Sequence, residues 1–163
     1  MKKTNEDFIG KEYYHLLDIL FKEADTFEFT IQEKAITKNF KNIFSKNKVD
    51  EAYADFLQPL DEFLIKRIKT NENLVHEYES NAKIHIFQYK AINRSKEIIK
   101  NFTNHAYGWA MGNDTPEFLT FYKDNKPLLA IIEDEFEICI FKEGEKRIYS
   151  LLKDHKDWDS WSD

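Results

Sequence analysis

Three apolar segments follow one another between residues 117 and 142 with almost no chain to spare: 117–123, 127–132 and 135–142. Asp124-Asn125-Lys126 joins the first pair and Glu133-Asp134 the second. A parallel pair needs a crossover of about a dozen residues, so links this short force an antiparallel meander. Pro127 opens its strand, where a missing N–H donor is tolerated. Glu133-Asp134 is a poor two-residue turn, because neither residue is the Gly or Asn that positive φ favours.

The rest of the chain adds helices and further strands. Ile9, Tyr13, Leu16, Leu17, Leu20 and Ala24 recur on one face of a helix, which predicts 5–24. Thr26-Phe27-Glu28-Phe29-Thr30-Ile31 then alternates, setting Phe27, Phe29 and Ile31 on one side of a strand at 26–31. Helical spacing returns with Ile36, Phe40, Ile43 and Phe44, then with Val49, Ala52, Tyr53, Phe56 and Leu57. Pro59 suits the first turn of a helix carrying Leu60, Phe63, Leu64 and Ile68, so 33–79 reads as three or four short helices. A strand at 82–91 and a helix at 95–102 follow, then an irregular stretch at 103–116. Gly144 precedes a last helix on Ile148, Leu151 and Leu152. The expectation is one α+β domain over 1–163. A helical N-terminal half (1–80, one strand near 26–31) packs on an antiparallel sheet of four to five strands, with a C-terminal three-stranded meander and terminal helix.

Composition narrows the function. A chain of 163 residues that is 42% hydrophobic and 15% aromatic is too apolar for intrinsic disorder. The net charge of −6 argues against a nucleic-acid or anionic-membrane binder. Of the 24 basic residues only Arg67, Arg94 and Arg147 are arginine, the side chain suited to bidentate reading of phosphate and guanine. The signs run in blocks: Lys34, Lys38, Lys41, Lys46 and Lys48 face no acid between 34 and 48, whereas 111–163 is acidic. The one cysteine, Cys139, sits in a strand pattern as a small apolar residue with no neighbouring cation to make it a nucleophile. Residues 1–10 lack the apolar run of a signal peptide, and no stretch approaches 18 apolar residues. The localisation expected is cytoplasmic.

Motifs for chemistry are missing from the sequence. There is no phosphate-cradling glycine loop; Gly108 and Gly112 stand alone. His15, His76, His85, His105 and His155 have no ligand spacing, and His76-Glu77 lacks the second His of a zinc-protease helix. The tail carboxylates Asp154, Asp157, Asp159 and Asp163 lack the Gly and distal Glu of a calcium loop. No G-x-S-x-G frames a nucleophile. Catalytic, metal and cofactor residues are accordingly left unassigned.

Two features remain. In the run Tyr107-Gly108-Trp109-Ala110-Met111 the large side chains alternate, which suits either a loop carrying interface anchors or a plug in the core. In Asp154-His155-Lys156-Asp157-Trp158-Asp159-Ser160-Trp161 aromatics are separated by acids, either capping the sheet or forming an exposed acidic–aromatic patch. The resulting expectation is a non-enzymatic protein-binding module, of the immunity or inhibitor kind that neutralises a basic bacterial toxin such as a nuclease. Its partner-binding residues would be Asp157, Trp158, Asp159 and Trp161, then Tyr107 and Trp109. Two other classes compete: a small-molecule-binding or enzymatic domain with a pocket near His85, His105 and Trp109, and a subunit of a larger assembly using the lysine-rich 34–48.

Overall fold

The computed structural model describes residues 1–32, 48–70, 83–109, 116–132 and 135–161. Its elements run β1 (Lys2–Thr4), α1 (Lys11–Glu23), β2 (Thr26–Gln32), α2 (Lys48–Ala52), α3 (Ala54–Leu57) and a 3-10 turn at Gln58–Phe63. Next come β3 (Leu64–Thr70), β4 (Ile84–Lys90), α4 (Asn93–Lys100) and a second 3-10 turn at Ala106–Trp109. The chain closes with β5 (Glu117–Lys123), β6 (Lys126–Ile132), β7 (Glu137–Ile140), α5 (Lys142–Arg147), α6 (Tyr149–Leu152) and β8 (Asp159–Ser160). The architecture is α+β. One sheet, entirely antiparallel, is ordered β3-β4-β2-β5-β6-β7-β1-β8.

The alternation in β2 and the periodicity in α1 meet in the main core. Phe27, Phe29 and Ile31 are fully buried, as are Tyr13, Leu16, Leu17 and Leu20 of α1. Aromatic rings fill the space between helices and sheet: Phe27 stacks on Tyr89 at 5.4 Å, and Phe29 meets Phe56 edge-on at 4.9 Å. Such geometry adds about 0.5–1.5 kcal/mol per pair beyond area burial. The predicted meander forms: β5 and β6 join through Asp124 and Asn125, whose φ values of 50° and 60° suit a tight hairpin turn. The opposite face of the sheet carries a smaller apolar cluster of Phe118, Ala130, Ile132 and Cys139. Burial pushes the Cys139 thiol up to about 12, so this cysteine is packing, not a nucleophile.

Several expectations need correction. The sheet has eight strands, not four to five. Residues 64–70, read as helix, are strand β3, and Pro59 opens a 3-10 turn instead. Six of the seven β3 residues are exposed, so neither face selects an apolar pattern to read. β1 and β8 escape pattern reading because they span three and two residues and are mostly polar. The N-terminal half is consequently strand-rich as well as helical. Ile9 lies outside α1, 61% exposed, because Gly10 at φ 58° breaks the chain before Lys11. Gly144 lies inside α5. The Ile36–Phe44 face, the lysine-rich block to 47, His76, Met111, Gly112 and Glu133-Asp134 lie outside the described residues.

Candidate partner-binding surface

The C-terminal tail is built into the sheet edge by one anchored tryptophan. Past α6 the Trp158 ring folds back to Phe8 (6.4 Å) and Tyr149 (6.2 Å, edge-on), and its indole N–H donates to the Leu152 carbonyl at 3.2 Å. That anchor delivers Asp159 opposite Lys3 and Ser160 opposite Lys2. Trp161 N–H then donates to the Met1 carbonyl at 3.0 Å. Trp158 thus caps the core, while the Trp161 side chain stays 55% exposed with Lys3 Nζ 4.6 Å from its ring centre.

Ion pairing decides the sign of this surface. Lys3 is taken up by Glu137 at 2.7 Å, a hydrogen bond that raises the lysine's pKa. Lys156 bridges Glu12 at 2.9 Å and Glu6 at 4.0 Å, holding the Glu12 carboxyl below its usual value. Asp154, Asp157 and Asp159 are exposed and have no ion-pair partner among the described residues. Lys3 and Lys156 are therefore ion-paired and the three aspartates are not, while Lys2 donates to Ser160 Oγ and, like Lys153, has no ion-pair partner among the described residues.

Tyr107 and Trp109 sit elsewhere. Trp109 is fully buried against Phe29 at 5.1 Å, and its N–H donates to the Tyr13 hydroxyl at 3.0 Å. Tyr107 is 4% exposed, and its hydroxyl donates to the Phe136 carbonyl at 2.9 Å. Burial removes both from the exposed surface that partner anchors require. They plug the core.

His85 and His105 have separate partners, while the His15 and His155 rings lie 5.5 Å apart. His85 stacks beside Phe87 and lies 3.2 Å from Arg67 Nη2. His105 Nδ1 lies 2.8 Å from Asp7 Oδ2, and the other Asp7 oxygen accepts the Tyr107 N–H at 3.1 Å. With Gly10 N–H to Asn104 O and Ala106 N–H to Phe8 O, that contact staples the N-terminal segment to the loop after α4. Grooves open among the described residues. One, of about 430 Å³, lies between β6 and α5 around Pro127 and Phe141; another, of about 330 Å³, lies between α1 and Leu151. Neither is lined by His85, His105 or Trp109. Among the described residues no group of three or more His, Cys, Asp and Glu is placed to hold a metal, and no helix is long and apolar enough to cross a membrane. Set against family models, curated proteins and solved structures, the chain matches none. What fold and surface define is an α+β protein with one eight-stranded antiparallel sheet.

One acidic residue of β2, on the face opposite the phenylalanines, is buried. Glu28, 9% exposed, accepts a short hydrogen bond from the Tyr122 hydroxyl. The alternation in β2 puts Glu28 opposite the phenylalanines, and nothing in that pattern signals that the second face is covered too. Desolvation raises the Glu28 carboxyl above the ordinary value of 4.5. The folded state therefore binds this proton more tightly than the unfolded one, and stability falls as pH rises from 4.5 through the raised value. Glu28→Gln keeps an oxygen for Tyr122 and removes the titration. Urea melts should show the variant gaining stability over wild type at pH 7 relative to pH 4; an equal difference at both pH values would contradict this origin.

Proposed function

We propose that this protein is a non-catalytic binding module whose β8 edge receives a basic partner protein, in the manner of an immunity or inhibitor protein that neutralises a basic toxin such as a nuclease. The observation that carries the reading is the exposed Trp161 beside the unpaired Asp157 and Asp159, on an edge where Lys3 and Lys156 are already ion-paired. Unpaired surface charge of one sign accelerates encounter with a partner of the other, while an indole supplies the desolvated contact that slows dissociation. Trp158 contributes from beneath by fixing the strand that presents them. The partner would meet the edge with lysines or arginines around an apolar slot.

The test compares wild type with the triple variant Asp157→Lys, Asp159→Lys, Trp161→Ala. Immobilised wild type should retain a basic protein from the native lysate that the variant loses. With that partner purified, Trp161→Ala alone should cost about 2 kcal/mol, or roughly thirtyfold in Kd. The two charge reversals should act mainly on the association rate and fade as salt is raised. Equal retention by both proteins would refute the assignment.

A further inference from the structure

Two imidazoles from distant parts of the chain meet between α1 and the tail. The His15 and His155 rings lie 5.5 Å apart, tilted by 49°. Each rides on fixed backbone. His15 stands in the middle of α1 beside the fully buried Leu16 and Leu17, and the His155 N–H donates to the Leu152 carbonyl at 3.0 Å. Both residues are exposed, and neither ring has a hydrogen-bond or ion-pair partner among the described residues. The groove of about 330 Å³ beside Leu151 is lined by His15, so open space adjoins that ring. Two carboxylates on the same stretch of α1 are already engaged: Glu12 by Lys156 at 2.9 Å, and Asp18 by Lys96 at 2.7 Å and Lys100 at 2.8 Å. That leaves the imidazole nitrogens as the donors.

We infer that His15 and His155 together bind a zinc ion. Zinc held by a ring nitrogen at about 2.0–2.1 Å lies roughly 3.2 Å from the ring centre. A tetrahedral ion shared by two rings therefore sets their centres roughly 5.2 Å apart, and adjacent corners of a square plane set them roughly 4.5 Å apart. The observed 5.5 Å lies near the tetrahedral spacing and well beyond the square-planar one, which selects zinc over copper(II) or nickel(II). Histidine χ2 is a broad torsion, and two exposed rings can turn so that one nitrogen of each faces the shared point. With two protein ligands the remaining positions go to water, so the ion is exchangeable and the chain folds without it. Bound there, zinc joins α1 to the segment just before Trp158 and holds the tail to the helix. The site does not depend on the β8 edge having a partner.

Titration calorimetry with zinc chloride tests the site. Wild type should bind one zinc ion per chain, and His15→Ala and His155→Ala should each weaken binding by at least about tenfold. Both residues are exposed, so the metal-free variants should melt as wild type does. Zinc at about a hundredfold excess over the wild-type Kd should raise the wild-type melting temperature by roughly 5 °C or more, and that of either variant about half as far at most. In NMR spectra the imidazole signals of His15 and His155 should move together on zinc addition while those of His85 and His105 stay in place. Magnesium chloride, whose cation prefers oxygen ligands, should give neither heat nor shift. Trp161→Ala should bind zinc as wild type does, which separates this site from the partner-binding edge. No zinc binding by wild type, equal affinity in both single variants and wild type, or equal binding of magnesium would overturn the site.

Discussion

Trp109→Ala is expected to remove a large share of the protein's stability. The indole is fully buried and touches Phe29 at 5.1 Å, Phe56 at 5.7 Å edge-on and Phe102 at 6.4 Å. Truncating a buried Trp to Ala costs about 3–5 kcal/mol from lost transfer and the cavity left behind. A second loss adds to it. The Tyr13 hydroxyl, itself buried, takes its hydrogen bond from the indole at 3.0 Å and would be left without a donor. About 5 kcal/mol in total is a large share of the 5–15 kcal/mol that holds a domain together, and would lower the melting temperature by about 10–20 °C. Trp109→Phe restores ring volume but not the N–H, so it should fall between wild type and Trp109→Ala. Guanidinium melts of the three proteins check the ranking; a Trp109→Ala midpoint at the wild-type value would mean the ring does not hold the core.

That ranking also shows what could be read from residues alone. The elements with a strong period were legible: Phe27, Phe29 and Ile31 do face the core, and Leu16, Leu17 and Leu20 do line the buried side of α1. The antiparallel links of β5, β6 and β7 were legible because chain length alone forbids the alternative. β3 was not, since an exposed edge strand has no buried face to impose alternation, and Leu64 and Ile68 fell at a spacing a helix also produces. The tail was half legible. Its aromatic–acidic pattern marked the segment, but whether an indole packs or protrudes depends on Tyr149 and on Phe8, the latter at the far end of the chain. Glu28 and Gln88 carried no signal at all. A polar residue on the outer side of a strand reads as solvated until a second layer covers it, and neither strand's own pattern reports that layer.

Gly144→Ala is expected to destabilise the protein, against the usual direction. In an exposed helix interior this substitution stabilises by roughly 1 kcal/mol, because Ala loses less backbone entropy than Gly. Here a Cβ would come within 2.0 Å of the Leu128 carbonyl oxygen and 2.9 Å of Ile140 Cγ2. The first of these is backbone in the middle of β6, and it also accepts the Phe141 N–H that opens α5. A flexible side chain could swing away; a carbonyl tied into the sheet cannot without disturbing that bond. The helix must then lift off β6 and β7, giving up contacts of the fully buried Ile140 and Ile148. Overpacking costs of about 1–3 kcal/mol apply, and the rigid neighbour puts Gly144 at the upper end, well above the propensity gain. Gly10→Ala is the internal comparison. A Cβ there meets nothing within 4 Å, and only the backbone at φ 58° and ψ −120° resists it, at about 1–3 kcal/mol. Urea melts should therefore place both Gly144→Ala and Gly10→Ala below wild type, for different reasons. A Gly144→Ala midpoint at or above wild type would mean that α5 can shift on the sheet at little cost, and that glycine is not what sets its distance from β6.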